Sequence, residues 1–394
     1  MKLELPKILF IGILVQIFAT QGILMFNVFD FFGNWELKTL LHPIGVLMCV
    51  FYFVCKGLNR NTKLRLSIIE SLLIAYFILS IIPLIINTES ILEFYIAFRE
   101  VVLIFILILI YSKSPISHKY WRRILKLLHI LIVLNITFII LTYILGPEQY
   151  MKLVSGRFIW PIDPEYKFKI SNFYSFWRSP GLIGESGAVG LFGILCYFLF
   201  LEDEKYNKKK IFPLILTILS FTRSIFLALI IFIFIKFLLK KKNLKKLEII
   251  APYSLPFLLI ISIPLYLYNL LSVKSILMRI DHWFNDVNVN YNLIYGGAFG
   301  EVGGAARGEG FVSTLDSYWL LMLTSVGFVG IILVLFFLYE KSLGFQTRKI
   351  ILISFCCICF LITISQSIPF LVLFPLIFIN RSFLNNNEND IKAN

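Results

Sequence analysis

The chain has 394 residues, of which 59% are apolar and only 15% charged, against about 25% charged in an average soluble domain. With a mean hydropathy of +0.85, this excludes a water-soluble fold, and the bilayer is the solvent for most of the chain. A formal charge of +14 would suggest nucleic acid in a soluble protein. In a membrane protein basic residues first report topology, so no nucleic-acid partner is expected.

The apolar stretches are long rather than alternating, which points to helices, because in hydrocarbon every backbone amide must be bonded within its own segment. In chain order, stretches long enough to cross fall at about 8–26, 39–55, 66–86, 91–111, 124–145, 181–201, 249–271 and 318–339. The first follows Lys2 and Lys7 in the charge order of a signal peptide but lacks a convincing small-x-small cleavage site, so it reads as a span. Two others, 211–239 and 350–379, are too long for one crossing: roughly 29 residues extend about 43 Å, against a hydrocarbon core of about 30 Å. Each carries a polar interruption, Thr222-Arg223-Ser224 in one and Ser365-Gln366-Ser367 before Pro369 in the other. Each therefore reads as a pair of short helices that enters and leaves on one side. The expected fold is an all-α polytopic membrane protein: one integral membrane domain over 1–384, with eight full spans, two broken pairs, about 12 helical segments and an Asn-rich disordered tail at 385–394.

Basic residues test this topology. With both termini cytoplasmic, 26 of the 37 Lys and Arg fall in cytoplasmic segments, nine (Lys38 and Arg178 among them) in outer segments, and Arg99 and Arg223 within the membrane. A straight crossing at 211–239 would put its flanking lysine clusters on opposite faces, so the bias favours the broken pair. Two outer segments stand out by length, 146–180 and 272–317. Connections this long are uncommon unless functional or disordered, and their tryptophans argue for function. The six cysteines all lie inside apolar runs and read as small packing residues, with no disulfide framework implied.

Arg223 is the sharpest single feature, a guanidinium at the bend of a broken pair, where insertion costs about 2.5–3.5 kcal/mol. It is either paired with a carboxylate such as Glu100 or Glu185, or part of an anion site. Arg178-Ser179-Pro180-Gly181 closes the first long loop, and Ser before Pro reads as N-cap and first helical residue. That would set a positive helix end beside Arg178, a common phosphate cradle. Glu185, one turn in, reads as a buried carboxylate that either pairs with an arginine or transfers a proton. Glycines at 181, 184, 187, 190 and 193 let a neighbouring helix approach. The segment 273–287 has the period of an interfacial helix, with Arg279, His282 and Asp286 as a polar stripe beside the apolar face. No second histidine or carboxylate cluster has ligand spacing, so no metal site is expected. A glycine-dense run from Gly296 to Gly310, containing Arg307, reads as a ligand approach or a mobile lid. Asp316 follows at the water boundary, as a cap or as a functional carboxylate. Glu70, Glu93, Arg99 and Glu100 are further intramembrane charges, and the adjacent Arg99 and Glu100 each call for a partner on another helix.

The order of these features resembles the O-antigen polymerase and ligase superfamily, and within it the Wzy-type bacterial polysaccharide polymerases. The resemblance rests on Arg178-Ser-Pro-Gly-Leu-Ile-Gly-Glu-Ser, Ser220-Phe-Thr-Arg-Ser, Arg279 with Trp283, Tyr295-Gly-Gly-Ala-Phe-Gly, and Asp316-Ser-Tyr-Trp-Leu-Leu-Met-Leu-Thr-Ser-Val-Gly-Phe-Val-Gly, covering about 178–330. Ile225 stands where the family usually has glycine, and Asp316-Ser317 replaces the His-Asn of typical ligases. The resemblance implies a metal-independent, cofactor-free, inverting glycosyl transfer on the outer face of the bacterial inner membrane. The donor would be a glycan on undecaprenyl diphosphate and the acceptor a lipid-linked repeat unit, with membrane lipid and a chain-length regulator protein as further partners. It assigns Arg223 and Arg279 to the diphosphate, with Arg178 and Arg307 in support. Asp316 becomes the first candidate base, with Glu185 and His282 behind it. An O-antigen ligase and a lipid-linked oligosaccharide flippase or transporter are the competing readings.

Overall fold

The computed structural model describes residues 5–34, 37–58, 65–154, 172–173, 176–238, 292–302, 317–359 and 367–380. In chain order its elements begin with α1 (Leu5–Ala19), α2 (Gly22–Phe31), α3 (Lys38–Leu58), α4 (Ile68–Asn87), α5 (Ile91–Phe98), a π-helical turn (Arg99–Leu103) and α6 (Ile104–Lys113). Then come α7 (His118–Leu145), α8 (Pro147–Val154), a hairpin of the two-residue strands β1 (Asn172–Phe173) and β2 (Phe176–Trp177), α9 (Ser186–Leu201), α10 (Glu204–Asn207), α11 (Ile211–Leu219) and α12 (Arg223–Leu238). The last three are α13 (Tyr318–Ser342), α14 (Gln346–Cys359) and α15 (Ile368–Leu376). Among the described residues, five helical stretches are long and apolar enough to cross a membrane: α3, α4, Ile91–Lys113, α7 and α13. The bent pair α1–α2 makes a sixth if it counts as one span. The chain is a multi-pass membrane protein, and among the described residues it is all-α apart from the small hairpin.

Two expectations need correction. The stretch 8–26 is not one helix: α1 and α2 meet at a bend of 96°, because Thr20, Gln21 and Gly22 interrupt the apolar run. The stretch 181–201 is helical only from Ser186, leaving a 16-residue helix. The four further charges expected within the membrane, Glu70, Glu93, Arg99 and Glu100, all carry contacts. Glu93 completes a capping box with Ser90 at the start of α5, Glu70 pairs with Lys113 at 2.9 Å, and Arg99 contacts its own neighbour Glu100 at 4.0 Å within the π-helical turn. The span expected at 249–271, the interruption Ser365-Gln366 and the tail at 385–394 lie outside the described residues.

The chain divides into two compact units: 1–71, 102–226 and 364–394 in the first, 72–101 and 227–363 in the second. In the first, α1 crosses α3 where Gly12 and Gly45 face each other. A Cβ on Gly12 would lie 3.0 Å from Gly45 O, and one on Gly45 would lie 2.9 Å from Gly12 O. Beside this crossing the buried Gln16 donates to Tyr111 Oη at 3.1 Å and Cys49 Sγ at 3.3 Å, tying in α6. The helix α9 is buried on every face and accordingly reads as uniformly apolar. Its Gly190 and Gly193 admit α11: a Cβ at either position would lie 2.6 Å from Ser220 Oγ or Thr217 Oγ1 respectively. These two glycines do what their spacing suggested. Gly181 and Gly184 do something else, adopting φ of +51° and +113° in the turn before α9.

In the second unit, α13 is interrupted at Gly327, with φ 68° and ψ −178°. Backbone from the glycine-rich stretch satisfies the break: Phe328 N–H donates to Leu293 O at 2.9 Å, Val329 N–H to Ile294 O at 3.1 Å, and Ala298 N–H to Thr324 O at 3.1 Å. Tyr76 Oη donates to Val326 O at 2.6 Å. Asn87 Nδ2 clamps the same stretch through Gly297 O at 2.9 Å and Phe299 O at 3.1 Å. A Cβ on Gly296 would lie 2.5 Å from Ser325 O, so only glycine permits this approach. The contact with Gly327 is about ten residues into α13, or about 15 Å along its axis. The stretch Leu293–Ala298 therefore packs beside α13 well along its length.

Candidate functional site

In the first unit a cavity of about 310 Å³ opens where four chain segments meet. Its walls come from the α1–α2 bend (Thr20, Gly22, Ile23), the start of α3 (Lys38, Thr39), the turn before α9 (Gly184, Glu185) and the start of α15 (Ser367, Pro369). Thr20 Oγ1 accepts from Gln21 Nε2 at 2.8 Å and donates to Ile17 O at 2.6 Å, which closes the last turn of α1. Gly22 lets the next wall come close, since a Cβ there would lie 2.7 Å from Ile183 O. Ile23 N–H then donates to Leu182 O at 2.9 Å.

The turn from Arg178 to Glu185 is fixed by polar groups on α7 and α8. Tyr143 Oη donates to Trp177 O at 2.7 Å, and the Thr142 and Ser179 hydroxyls share a bond of 2.7 Å. Asn135, fully buried, accepts Leu182 N–H at 2.9 Å and donates to Gln21 Oε1 at 2.8 Å, joining the turn to the α1–α2 bend. Tyr150 Oη donates to Gly181 O at 2.8 Å. Burial pushes the Tyr150 phenol up, with the Thr142 hydrogen bond opposing, so it remains a donor at neutral pH. Ser179 and Pro180 therefore do not open the helix, as their sequence suggested. Glu185, extended at φ −145° and ψ 134°, is the N-cap of α9. It is exposed at the cavity instead of buried one turn into the helix.

Among the described residues the cavity thus combines one cation, one carboxylate and the first turns of α9 and α15, whose amides give a positive potential, inside mainly apolar walls. Such a site can take an anionic head carried on an apolar tail. Lys38 Nζ also sits 4.9 Å from the centre of the Phe26 ring, which positions the ammonium beside the α1–α2 bend.

Of the residues expected to act, Glu185 lines the cavity, and the half-buried Arg178 lies in the anchored turn but not among the lining residues. Arg223, expected at the bend of a broken pair, opens α12 instead, just after the observed bend. The chain there bends through Phe221 at φ 47°, and Thr222 Oγ1 donates to Ser186 O at 3.3 Å; the side chain of Arg223 lies outside the described residues. Arg279, His282, Arg307 and Asp316 lie outside them altogether. The residue after Asp316 is anchored: Ser317 Oγ donates to Cys359 O at 3.3 Å, and Trp319 Nε1 donates to Cys356 O at 2.8 Å. The structure also unites two elements that the sequence separates, the Tyr295–Gly300 stretch and the Gly327 break. The reading from sequence missed Lys38, Thr20 and Asn135 as site residues. The available signal was a polar Thr-Gln-Gly inside the first apolar run and a lone asparagine inside the run at 124–145. No family model, no curated protein and no solved structure matches this chain.

Proposed function

We propose that the chain is a bacterial polysaccharide repeat-unit polymerase, an inverting membrane glycosyltransferase that acts on lipid-diphosphate substrates at the outer face of the inner membrane. The reading is supported by the ordered motifs over 178–330 in a multi-pass chain. The structural observation that carries it is the meeting of Lys38 and Glu185 in one cavity at the end of the Arg178 stretch. An ammonium and two helix starts suit a diphosphate leaving group, and apolar walls suit its isoprenoid tail.

In the proposed reaction the acceptor hydroxyl oxygen attacks the anomeric carbon of the donor glycan. The bond from that carbon to the diphosphate oxygen breaks with inversion, and its electron pair leaves on the diphosphate. The hydroxyl proton passes to a general base, Asp316 first by the resemblance, with Glu185 and His282 behind it. Arg223 and Arg279, supported by Arg178 and Arg307, stabilise the charge that develops on the leaving group.

The proposed topology, with eight spans, two broken pairs and cytoplasmic termini, makes a separate demand: segments assigned to one side must meet. Lys38, assigned outside, and Glu185, assigned to the outer end of the span 181–201, line one cavity. Lys56 Nζ donates to Lys113 O at 2.6 Å and Lys113 Nζ to Arg65 O at 2.8 Å, and all three are assigned inside.

The test is the purified protein in vesicles with an undecaprenyl-diphosphate-linked repeat unit. Chain extension should give a ladder on the same lipid carrier and should be lost in Arg223→Ala and Asp316→Ala. A single transfer to a different acceptor would indicate a ligase, and translocation without extension a flippase. Wild-type extension in either variant would overturn the site assignment.

A further inference from the structure

We propose that the face where α7 and α10–α11 begin is a docking surface for anionic phospholipid headgroups, independent of whatever reaction the chain performs. Two segments about 80 residues apart in sequence supply it. The first turns of α7 bring Lys119, Arg122, Arg123 and Lys126, all exposed; Lys205 and Lys208, also exposed, join the half-buried Lys209 and Lys210 from the other segment.

An aromatic cluster locks these segments together. The His129 ring lies 5.2 Å from Phe212 and 6.4 Å from Tyr206, and Tyr206 lies 5.2 Å from Phe200. Lys209 Nζ sits 5.6 Å over the Tyr206 ring, and Arg122 is near enough for its charge to act on the same phenol. The two sets of cations thus form one patch over a shared aromatic floor.

The acids of the second segment are Glu202, Asp203 and Glu204. Asp203 is buried and already spends one oxygen on the N–H groups of Lys205 and Tyr206, at 3.1 Å each. Eight cations therefore face three acids, and no acidic residue occupies the first turn of α7. Keeping cations on an outward face is sufficient to set topology, but it does not require two distant segments to concentrate them on one aromatic cluster. A bound anion would relieve the mutual repulsion, and the half-buried Tyr120 marks this end of α7 with a side chain typical of the headgroup zone. Lipid headgroups supply that anion at the depth where the patch sits.

The test uses the full chain in zwitterionic phosphatidylcholine nanodiscs and a fluorescent phosphatidylglycerol probe. Two quadruple variants are compared with wild type: Lys119→Gln/Arg122→Gln/Arg123→Gln/Lys126→Gln and Lys205→Gln/Lys208→Gln/Lys209→Gln/Lys210→Gln. Wild type should take up the probe, less so at high salt. Each variant should lose affinity by about five-fold for every neutralised cation that touches the headgroup. Lys341→Gln/Lys349→Gln, which removes two cations elsewhere, should leave affinity unchanged, and thermal midpoints in pure phosphatidylcholine should match wild type. Unchanged probe affinity in either quadruple variant, an equal loss in the Lys341/Lys349 variant, or equal displacement of the probe by millimolar inorganic phosphate would overturn the proposal.

Discussion

The buried amide of Asn135 gives the sharpest test of how the cavity wall is held. Its Oδ1 accepts Leu182 N–H at 2.9 Å, and its Nδ2 donates to Gln21 Oε1 at 2.8 Å and to Leu131 O at 2.9 Å. Asn135→Ala removes all three bonds, but the losses are unequal. Leu131 O keeps its backbone bond within α7, so that contact matters little. Gln21 is a flexible side chain and can seek another partner, as polar side chains in membranes do; double-mutant cycles there average about 0.6 kcal/mol and reach about 1.7. Leu182 N–H is backbone pinned in a turn between two positive-φ glycines and cannot re-pair. Its desolvation should cost about 1–3 kcal/mol. The expected destabilisation is about 2–4 kcal/mol, mostly from the Leu182 amide, with an Asn135/Gln21 coupling of about 0.6–1.7 kcal/mol. Unfolding free energies of wild type, Asn135→Ala, Gln21→Ala and the double variant in mixed micelles measure both quantities. A single-variant loss below about 0.5 kcal/mol, or a coupling larger than the Asn135→Ala loss left after removing Gln21, would refute this division of the energy.

Lys113→Ala should destabilise by about 3–5 kcal/mol, because it removes the cation from the fully buried Glu70 carboxylate. Glu70→Leu/Lys113→Leu should cost less, and a denaturation series showing the reverse order would contradict a buried pair. Gly193→Ala should cost about 1–3 kcal/mol, since its Cβ would lie 2.9 Å from Thr217 N and 3.0 Å from Pro213 O, both backbone atoms of α11. An unchanged thermal midpoint would mean that α9 and α11 are not in such close contact. On the proposed reaction, Glu185→Gln should lower kcat for chain extension by about 100-fold or more if Glu185 is the base, and leave kcat near wild type if Asp316 holds that role. Lys38→Gln should weaken the lipid-diphosphate donor, read as a rise in KM; unchanged KM and kcat would remove Lys38 from the site.

The membrane class and the helical character were legible because they depend on bulk quantities. Hydrocarbon permits only segments that satisfy their own amides, and apolar runs such as 66–86 and 124–145 locate α4 and α7 closely. The break near Thr222 was legible too, because the run at 211–239 exceeds the membrane thickness and the lysines on both flanks constrain its ends. The break at Thr20–Gln21 was not. There the total apolar length suits one crossing, and averaging hydropathy over about 19 residues hides three small or polar residues that turn the chain through 96°. The same averaging hid the interruption at Gly327 in α13, because a glycine inside an apolar run reads as packing. Only the backbone donors and acceptors of Leu293–Ala298 reveal that it is a junction.

The site shows the opposite balance, because its residues are paired by folding and not by spacing. Lys38 was visible only as one of nine cations on the wrong side of a charge count, and Glu185 as one carboxylate in a glycine-rich helix start. Neither position points to the other, some 150 residues away. What unites them is the turn before α9, and its conformation depends on Asn135, Thr142 and Tyr143, three polar residues of α7 that the hydrophobic pattern treats as noise. Polar side chains in a span are costly unless bonded, so each of the three had to find a partner, and each found it in that turn or its flank. In an apolar chain of this kind a lone buried amide is therefore stronger evidence for an anchored functional loop than a basic residue on a solvated edge. The reasoning fails if Asn135→Ala leaves the unfolding free energy unchanged.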